Sequence, residues 1–223
     1  MKFVIADDHP LFRDALKRTV AGLFPDAALI EADSTASLQT KLEQTDEPDL
    51  LLLDLHMPGS SGFSGLVHVR ARYPSLPVIE VSGNEEPGVM RRAIAHGASG
   101  YIPKSSSLDD MAQAISAVLD GDVWLPASAA GSKPTHLAPD EVDIAQRIRD
   151  LTPQQFRVLM MLADGLLNKQ IAYELNVSEA TIKAHMTAIL KKLGASNRTQ
   201  AVVAAARLQL DPSMRIVEVV EED

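Results

Sequence analysis

The sequence predicts an α/β protein, a doubly wound five-stranded parallel sheet with helices on both faces, followed by a small all-α helix-turn-helix domain. Three observations support this fold class. Short apolar runs alternate five times with amphipathic helical segments over residues 1–121. One of these runs, residues 50–53, holds four consecutive leucines, which is typical of a strand buried on both faces. After residue 150 the strand-like runs stop and only helical patterns remain.

The composition is that of a soluble globular protein. The chain has 223 residues, 46% hydrophobic and 23% charged, which is long enough for two domains. No apolar run approaches membrane-spanning length, and the opening KFVIA lacks the pattern of a signal peptide. The chain has no cysteine, which excludes disulfides, thiolate chemistry and zinc–sulfur sites. We therefore expect a cytoplasmic protein without a membrane partner.

The charge is distributed unevenly along the chain. Residues 1–122 carry 10 Lys and Arg against 18 Asp and Glu, whereas residues 151–210 carry 7 against 3. An acidic half joined to a basic half predicts two tasks, with any polyanion bound at the C-terminal end.

The first part of the chain divides into strands and helices in order. Apolar runs predict strands at residues 2–6, 28–32, 50–54, 77–82 and 100–102. A helix is expected after each of them: from Pro10 to before Pro25, from a Ser34 cap through Lys41, and over residues 61–72, 86–95 and 108–119. We place the end of this domain at residue 121.

The second part is predicted to be helical. Residues 122–150 form a linker in which 140–149 is a candidate helix. Thr152, Pro153 and Gln155 give an N-cap, a proline at the first helical position and a capping-box glutamine. A helix at 168–175, a tight turn and a Ser178-capped helix to residue 193 form a helix-turn-helix, and a last helix is expected at 199–209. This domain spans 151–210, and an acidic tail covers 211–223.

Polar side chains that could form one site lie at or just after the ends of the first, third, fourth and fifth predicted strands. Asp7 and Asp8 end the first, Asp54 the third and Ser82 the fourth, and Lys104 follows the fifth. The carboxyl ends of parallel strands share one edge of the sheet, where ligands bind. Adjacent carboxylates repel one another unless a cation such as Mg²⁺ lies between them, and Asp54 could then attack a phosphoryl group. A strand-end aspartate that only caps its strand is the alternative for Asp54 taken alone.

Four segments, ADDHPLFR, LLLLDLHMPG, VSG and GYIPKS, resemble the receiver domain of two-component response regulators over residues 1–121. The resemblance implies a CheY-like fold, a bound Mg²⁺ ion and a sensor histidine kinase as phosphoryl donor. In this resemblance Asp54 is the phospho-acceptor and Lys104 pairs with the phosphoryl group. Asp8, Asp54 and the backbone carbonyl of His56 are metal ligands, and Asp7 acts through water. Ser82 and Tyr101 form the switch pair.

Glu80 departs from the receiver pattern, and the histidines are interpreted separately. Glu80 lies in the middle of the strand PVIEVS, where the family usually has an apolar residue. Because an unpaired buried carboxylate is costly, we expect local exposure or a basic neighbour there. The six histidines share no ligand spacing, so their side chains are interpreted as structural or exposed.

The segment from Leu151 to Val202 resembles the LuxR/NarL-type DNA-binding domain. Apolar residues of the 179–193 helix form an inward stripe, and its other face can enter the major groove of double-stranded DNA. The expected DNA contacts are Lys169, Thr181, Lys183, Ala184, Thr187 and Lys191. A solvated lysine face is the alternative. Leu167, where the family usually has serine, and Thr187, where many relatives have Lys or Asn, depart from the pattern.

The sequence therefore predicts a phosphorylation-controlled DNA-binding transcriptional regulator rather than an enzyme. We expect the active protein to be a homodimer, because the paired half-sites of DNA operators mirror the two-fold symmetry of a protein dimer. The 199–209 helix is the candidate dimer surface. We also expect the unphosphorylated first domain to cover or misorient the 179–193 helix. The alternatives are a regulator that binds DNA without phosphorylation and an aspartyl-phosphate phosphatase or mutase, which would need a substrate cap domain.

Overall fold

The computed structural model describes residues 1–60, 62–130 and 139–206, with side chains of the last range from residue 142 onward. The predicted acidic tail at 211–223 and the end of the predicted 199–209 helix lie outside the described residues. None of the described helices is long and apolar enough to cross a membrane.

Five parallel strands form one sheet in the order β2-β1-β3-β4-β5. The strands are β1 (Lys2–Ala6), β2 (Ala28–Ala32), β3 (Leu50–Asp54), β4 (Val78–Ser82) and β5 (Gly100–Pro103). All five residues of the leucine-rich β3 are buried, as expected for the central strand. The strand order reverses between β1 and β3, which places a topological switch point at the carboxyl ends of these two strands.

Helices cover both faces of the sheet. The helices of this part are α1 (Pro10–Leu23), α2 (Thr35–Gln44), α3 (Ser64–Arg72), α4 (Pro87–Ala95) and α5 (Leu108–Leu119). The core on one face of the sheet is packed with α2, α3 and α4, and the opposite core with α1 and α5. The Ser34 cap is confirmed, since its side chain accepts from the Ser37 N–H. Leu108, the first residue of α5, is exposed.

The linker begins along the edge of the sheet. The Trp124 N–H donates to the Ser99 carbonyl, and the Trp124 carbonyl accepts from the Tyr101 N–H. A short helical turn, α6 (Ala127–Ala130), then packs on α4. The candidate linker helix is present as α7 (Pro139–Arg149).

The last four helices form a separate core. They are α8 (Pro153–Ala163), α9 (Asn168–Glu174), α10 (Glu179–Leu193) and α11 (Arg198–Ala206). The capping box of Thr152 and Gln155 and the Ser178 cap are formed as predicted. Ile144 and Ile148 of α7 belong to the same core, so the linker helix is part of this unit.

Helix α3 is buried between the sheet and the helical unit. Val67 packs in the core of the helical unit, and the His68 ring stacks on Phe156 with ring centroids 4.2 Å apart. The Ser64 hydroxyl lies 3.5 Å from the Met160 sulfur. The two halves therefore meet along α3, α7 and α8.

Candidate functional site

The predicted acidic residues converge at the switch point of the sheet. Asp54, the last residue of β3, and Asp7, just after β1, are both buried, whereas Asp8 is partly exposed. One ligand atom from each of Asp7, Asp8, His9 and Asp54 can be chosen so that all lie within 4.8 Å of one another. The His56 N–H donates to Asp54 Oδ1 at 3.2 Å, which places the loop after β3 against the same carboxylate.

Lys104 lies between two of these carboxylates. Its Nζ is 2.8 Å from both Asp54 Oδ2 and Asp7 Oδ2. Burial alone would lower the pKa of the ammonium, but the hydrogen bonds to Asp54 and Asp7 outweigh burial, so the pKa of Lys104 is raised. The lysine is therefore a fixed positive charge beside Asp54.

His9 is a site residue that the sequence analysis missed. Its side chain is 63% exposed, which agrees with the prediction, yet its Nδ1 contacts all three carboxylates, at 2.7 Å from Asp8, 3.2 Å from Asp7 and 3.7 Å from Asp54. Ligand spacing along the sequence could not find it, because the cluster forms across two strands. Its position directly after two strand-end aspartates is the signal that was available.

The two predicted switch residues are adjacent and buried. The Tyr101 hydroxyl donates to the Asn84 carbonyl at 2.7 Å, and the Asn84 N–H donates to the Ser82 hydroxyl oxygen at 3.1 Å. Burial raises the pKa of Tyr101, so its phenol stays protonated. Ser82 is also tied to the lysine loop, since the Lys104 N–H donates to its carbonyl.

The expectation for Glu80 is wrong. Glu80 is fully buried, and neither carboxyl oxygen hydrogen bonds to a described group. It pairs in register with Leu53 on one side and Tyr101 on the other, in the middle of the sheet. Burial, and next the charge of Asp54, raise the pKa of Glu80 well above its ordinary value. Burial therefore favours the neutral carboxylic acid at this position.

Five of the six predicted DNA-contacting residues are exposed. Four residues of α10 are exposed: Lys183, Ala184, Thr187 and Lys191. Lys169 on α9 is exposed as well, whereas Thr181 is half-buried, with its N–H bound to the Ser178 side chain. The inward stripe of α10 packs in the helical core. The first domain thus leaves this face of α10 uncovered in the structure. Of the expectation that the first domain covers or misorients the helix, misorientation stays a prediction.

Helix α11, the candidate dimer surface, is largely buried in the helical core. Ala201, Ala204 and Ala205 of α11 are buried in the helical core, where α11 packs on α8 and α10. Only the rest of its surface is left for a partner.

The structure combines an acidic site with a lysine, at the edge of a sheet of order 2-1-3-4-5, with a helix-turn-helix unit. This combination defines a regulator with a receiver and a DNA-binding part. The profile of the response regulator receiver domain matches residues 3–116, and that of the bacterial regulatory proteins of the luxR family matches residues 149–205. The chain belongs to the LuxR/NarL-type response regulators.

The chain is similar in sequence to curated regulators over nearly its whole length. A glycerol metabolism activator of Pseudomonas putida is 38% identical over 96% of this chain and 99% of its own. The nitrate/nitrite response regulator protein NarL of Escherichia coli K12 is 31% identical, covering 90% and 92%. The solved RcsB response regulator of Salmonella typhimurium has the same fold, with a TM-score of 0.55, 24% identity, and 91% and 98% coverage. The protein is thus a DNA-binding transcriptional response regulator.

Proposed function

We propose that Asp54 accepts a phosphoryl group from a sensor histidine kinase and that this transfer controls promoter binding. The observation that carries the proposal is the Asp54 carboxylate at the switch point, 2.8 Å from the Lys104 ammonium. Asp54 attacks phosphorus, the bond from phosphorus to the donor histidine nitrogen breaks, and an aspartyl phosphate forms. Lys104 then pairs with a phosphoryl oxygen.

The donor set suits Mg²⁺, which receiver domains typically bind. Oxygen ligands are those that this hard ion prefers, and the cluster supplies carboxylates from two strands. Asp8, Asp54 and the backbone carbonyl of His56 would hold the ion, with Asp7 acting through water. The ion would offset the charge of the incoming phosphoryl group.

Ser82 and Tyr101 convert the new charge into a change of shape. The Ser82 hydroxyl accepts from the Asn84 N–H and Tyr101 donates to the Asn84 carbonyl, so a turn of Ser82 toward the phosphoryl oxygens would be felt by Tyr101 through Asn84. A rearrangement here would move α4 and the linker segment at Trp124, because the latter is hydrogen bonded to β5 at Tyr101.

The activated protein binds double-stranded promoter DNA through the exposed face of α10. Lys183, Ala184 and Thr187 would approach base edges, with Lys169, Thr181 and Lys191 contacting the backbone. RcsB has been solved on promoter DNA with the phosphomimetic BeF₃⁻ and also as dimers on DNA, which supports DNA and a second copy as partners. Because the target is promoter DNA, the protein acts in the cytoplasm.

The domain limits follow from these roles. We place the receiver at residues 1–121, the linker at 122–150, the DNA-binding domain at 151–210 and an acidic tail at 211–223. Phosphoryl transfer ends on the chain's own Asp54, so we assign no enzymatic role on another substrate.

Labelling with a small-molecule phosphoryl donor tests the acceptor. Wild-type protein should take up hydroxylamine-sensitive label, as an acyl phosphate does, and Asp54→Asn should take up none. Asp33→Asn is the matched control, since Asp33 is an exposed aspartate just after β2. Wild-type labelling of Asp54→Asn would show that the acceptor lies elsewhere.

A further inference from the structure

His9 places its imidazole among the carboxylates with the spacing of a metal coordination shell. Nδ1 is 2.7 Å from Asp8 Oδ1, 3.2 Å from Asp7 Oδ1 and 3.7 Å from Asp54 Oδ2. Neighbouring donor atoms of an octahedral ion with bonds of 2.0–2.1 Å lie about 3 Å apart, and opposite ones about 4 Å apart. His9 Nδ1 and the carboxylates of Asp8 and Asp54 therefore lie at distances that suit direct ligands of one ion.

The local backbone leaves this side chain available. His9 precedes α1 with an extended backbone, and its side chain makes no capping hydrogen bond to the helix. Its N–H donates to Asp7 Oδ1 at 2.7 Å, which fixes the backbone beside the cluster. Pro10 follows at the start of the helix and has no N–H to be capped. The imidazole thus points into the acidic site from a fixed backbone.

The Lys104 ammonium shows how these groups hold a positive charge. Its Nζ lies 3.2 Å from His9 Nδ1 and 2.8 Å from one oxygen of Asp7 and one of Asp54. Nδ1 accepts from the ammonium through its lone pair when Nε2 carries the ring proton, and it donates to Asp8 Oδ1, 2.7 Å away, when the proton is on Nδ1. Metal ligation uses the first tautomer. Two carboxylates and one imidazole nitrogen are thus already turned toward a single cation.

We propose that Nδ1 of His9 is a direct ligand of the divalent ion at this site and gives it a preference for Ni²⁺ over Mg²⁺. Imidazole suits Ni²⁺, whereas Mg²⁺ selects carboxylate, carbonyl and water oxygens. The inference rests on the proposed metal-assisted receiver function and adds one ligand and a selectivity to it.

Pulsed electron paramagnetic resonance of Mn²⁺ bound to the full-length protein tests the ligand directly, without phosphoryl donor or DNA. Wild-type protein should show coupling of the manganese to a histidine nitrogen, and His9→Asn should lose it. His185→Ala, which removes an imidazole from α10, should keep it. Absence of nitrogen coupling in the wild type would overturn the proposal.

Equilibrium titrations with Ni²⁺ and Mg²⁺ test the selectivity. Asp8→Ala, which removes a carboxylate of the cluster, identifies the binding that belongs to this site. His9→Asn should weaken Ni²⁺ binding at least about tenfold, since loss of even the partners of metal ligands costs that much. Its Mg²⁺ affinity should stay close to that of the wild type. Equal Ni²⁺ affinity in wild type and His9→Asn would contradict the assignment.

The failure of this inference is separable from failure of the receiver function. If Asp54 is labelled with Mg²⁺ present while nitrogen coupling is absent, the His9 proposal is wrong and the phospho-acceptor stands. If neither labelling nor site-specific metal binding is seen, both proposals are wrong.

Discussion

Replacing Glu80 by Gln tests whether a neutral acid lies inside the sheet. Glu80 is fully buried without a hydrogen-bond partner among the described residues, and burial raises the pKa of Glu80 well above 4.5. Glutamine has nearly the same shape but cannot ionise. The substitution therefore removes one titrating group and leaves the packing between β3 and β5 in place.

The magnitude follows from proton binding to the two states. As the pH rises through about 4.5, the unfolded carboxyl loses its proton whereas the folded carboxyl keeps it. The folded state then holds one more proton, so the free energy of unfolding falls by about 1.4 kcal/mol per pH unit until the folded carboxyl ionises. Glu80→Gln lacks this loss, and its advantage over the wild type should grow at that rate.

Urea unfolding at several pH values measures the difference. Trp124 is the only tryptophan and packs on the α1/α5 core, so its fluorescence follows unfolding of the receiver. Taking the difference between variant and wild type cancels the titrating groups that do not interact with Glu80. Glu43→Gln makes the same change at an exposed position of α2. A difference that stays flat from about pH 5 upward would show that Glu80 is not protonated in the fold.

Two further predictions concern the DNA-binding helix α10 and the contact between α3 and the helical unit. Lys183→Ala should weaken promoter binding by about 1–3 kcal/mol if Lys183 contacts a base. If Lys183 contacts phosphate, the substitution should weaken binding to all DNA sequences equally, with a shallower salt dependence. The control Lys41→Ala removes an exposed charge from α2 and should do neither, and unchanged binding by Lys183→Ala would show that Lys183 lies on a solvated face. Burial, and next the charge of Arg72, lower the pKa of His68 to about 4, so the wild type should lose about 1.4 kcal/mol of stability per pH unit as the pH falls from about 6.5 to 4. His68→Phe keeps the ring stack on Phe156 and should remove that loss, and an unchanged acid denaturation profile would contradict the account.

The sequence predicts the sheet well because its signals are local. Four leucines and a strand-end aspartate define β3, and the caps at Ser34, Thr152 and Ser178 define the starts of three helices. Those patterns depend on neighbouring residues, and the structure confirms them. The convergence of Asp7, Asp8 and Asp54 was also predictable, since parallel strands end at one edge.

What the sequence could not predict depends on contacts between distant segments. The burial of Glu80 depends on the helices that pack over β4. The hydrophobic pattern of the strand does not say whether those helices cover this one position. The open face of α10 depends on how α3 packs against α7 and α8, through residues such as Val67 and Phe156. No short-range pattern encodes that packing.

Promoter binding by the full-length protein, with and without a phosphoryl donor, tests the central claim most directly. Wild-type protein should protect its operator more strongly when the donor is present. Asp54→Asn should show the weaker protection whether or not the donor is added. Equal protection by wild-type protein in both conditions, or a donor response that persists in Asp54→Asn, would contradict control of DNA binding through Asp54.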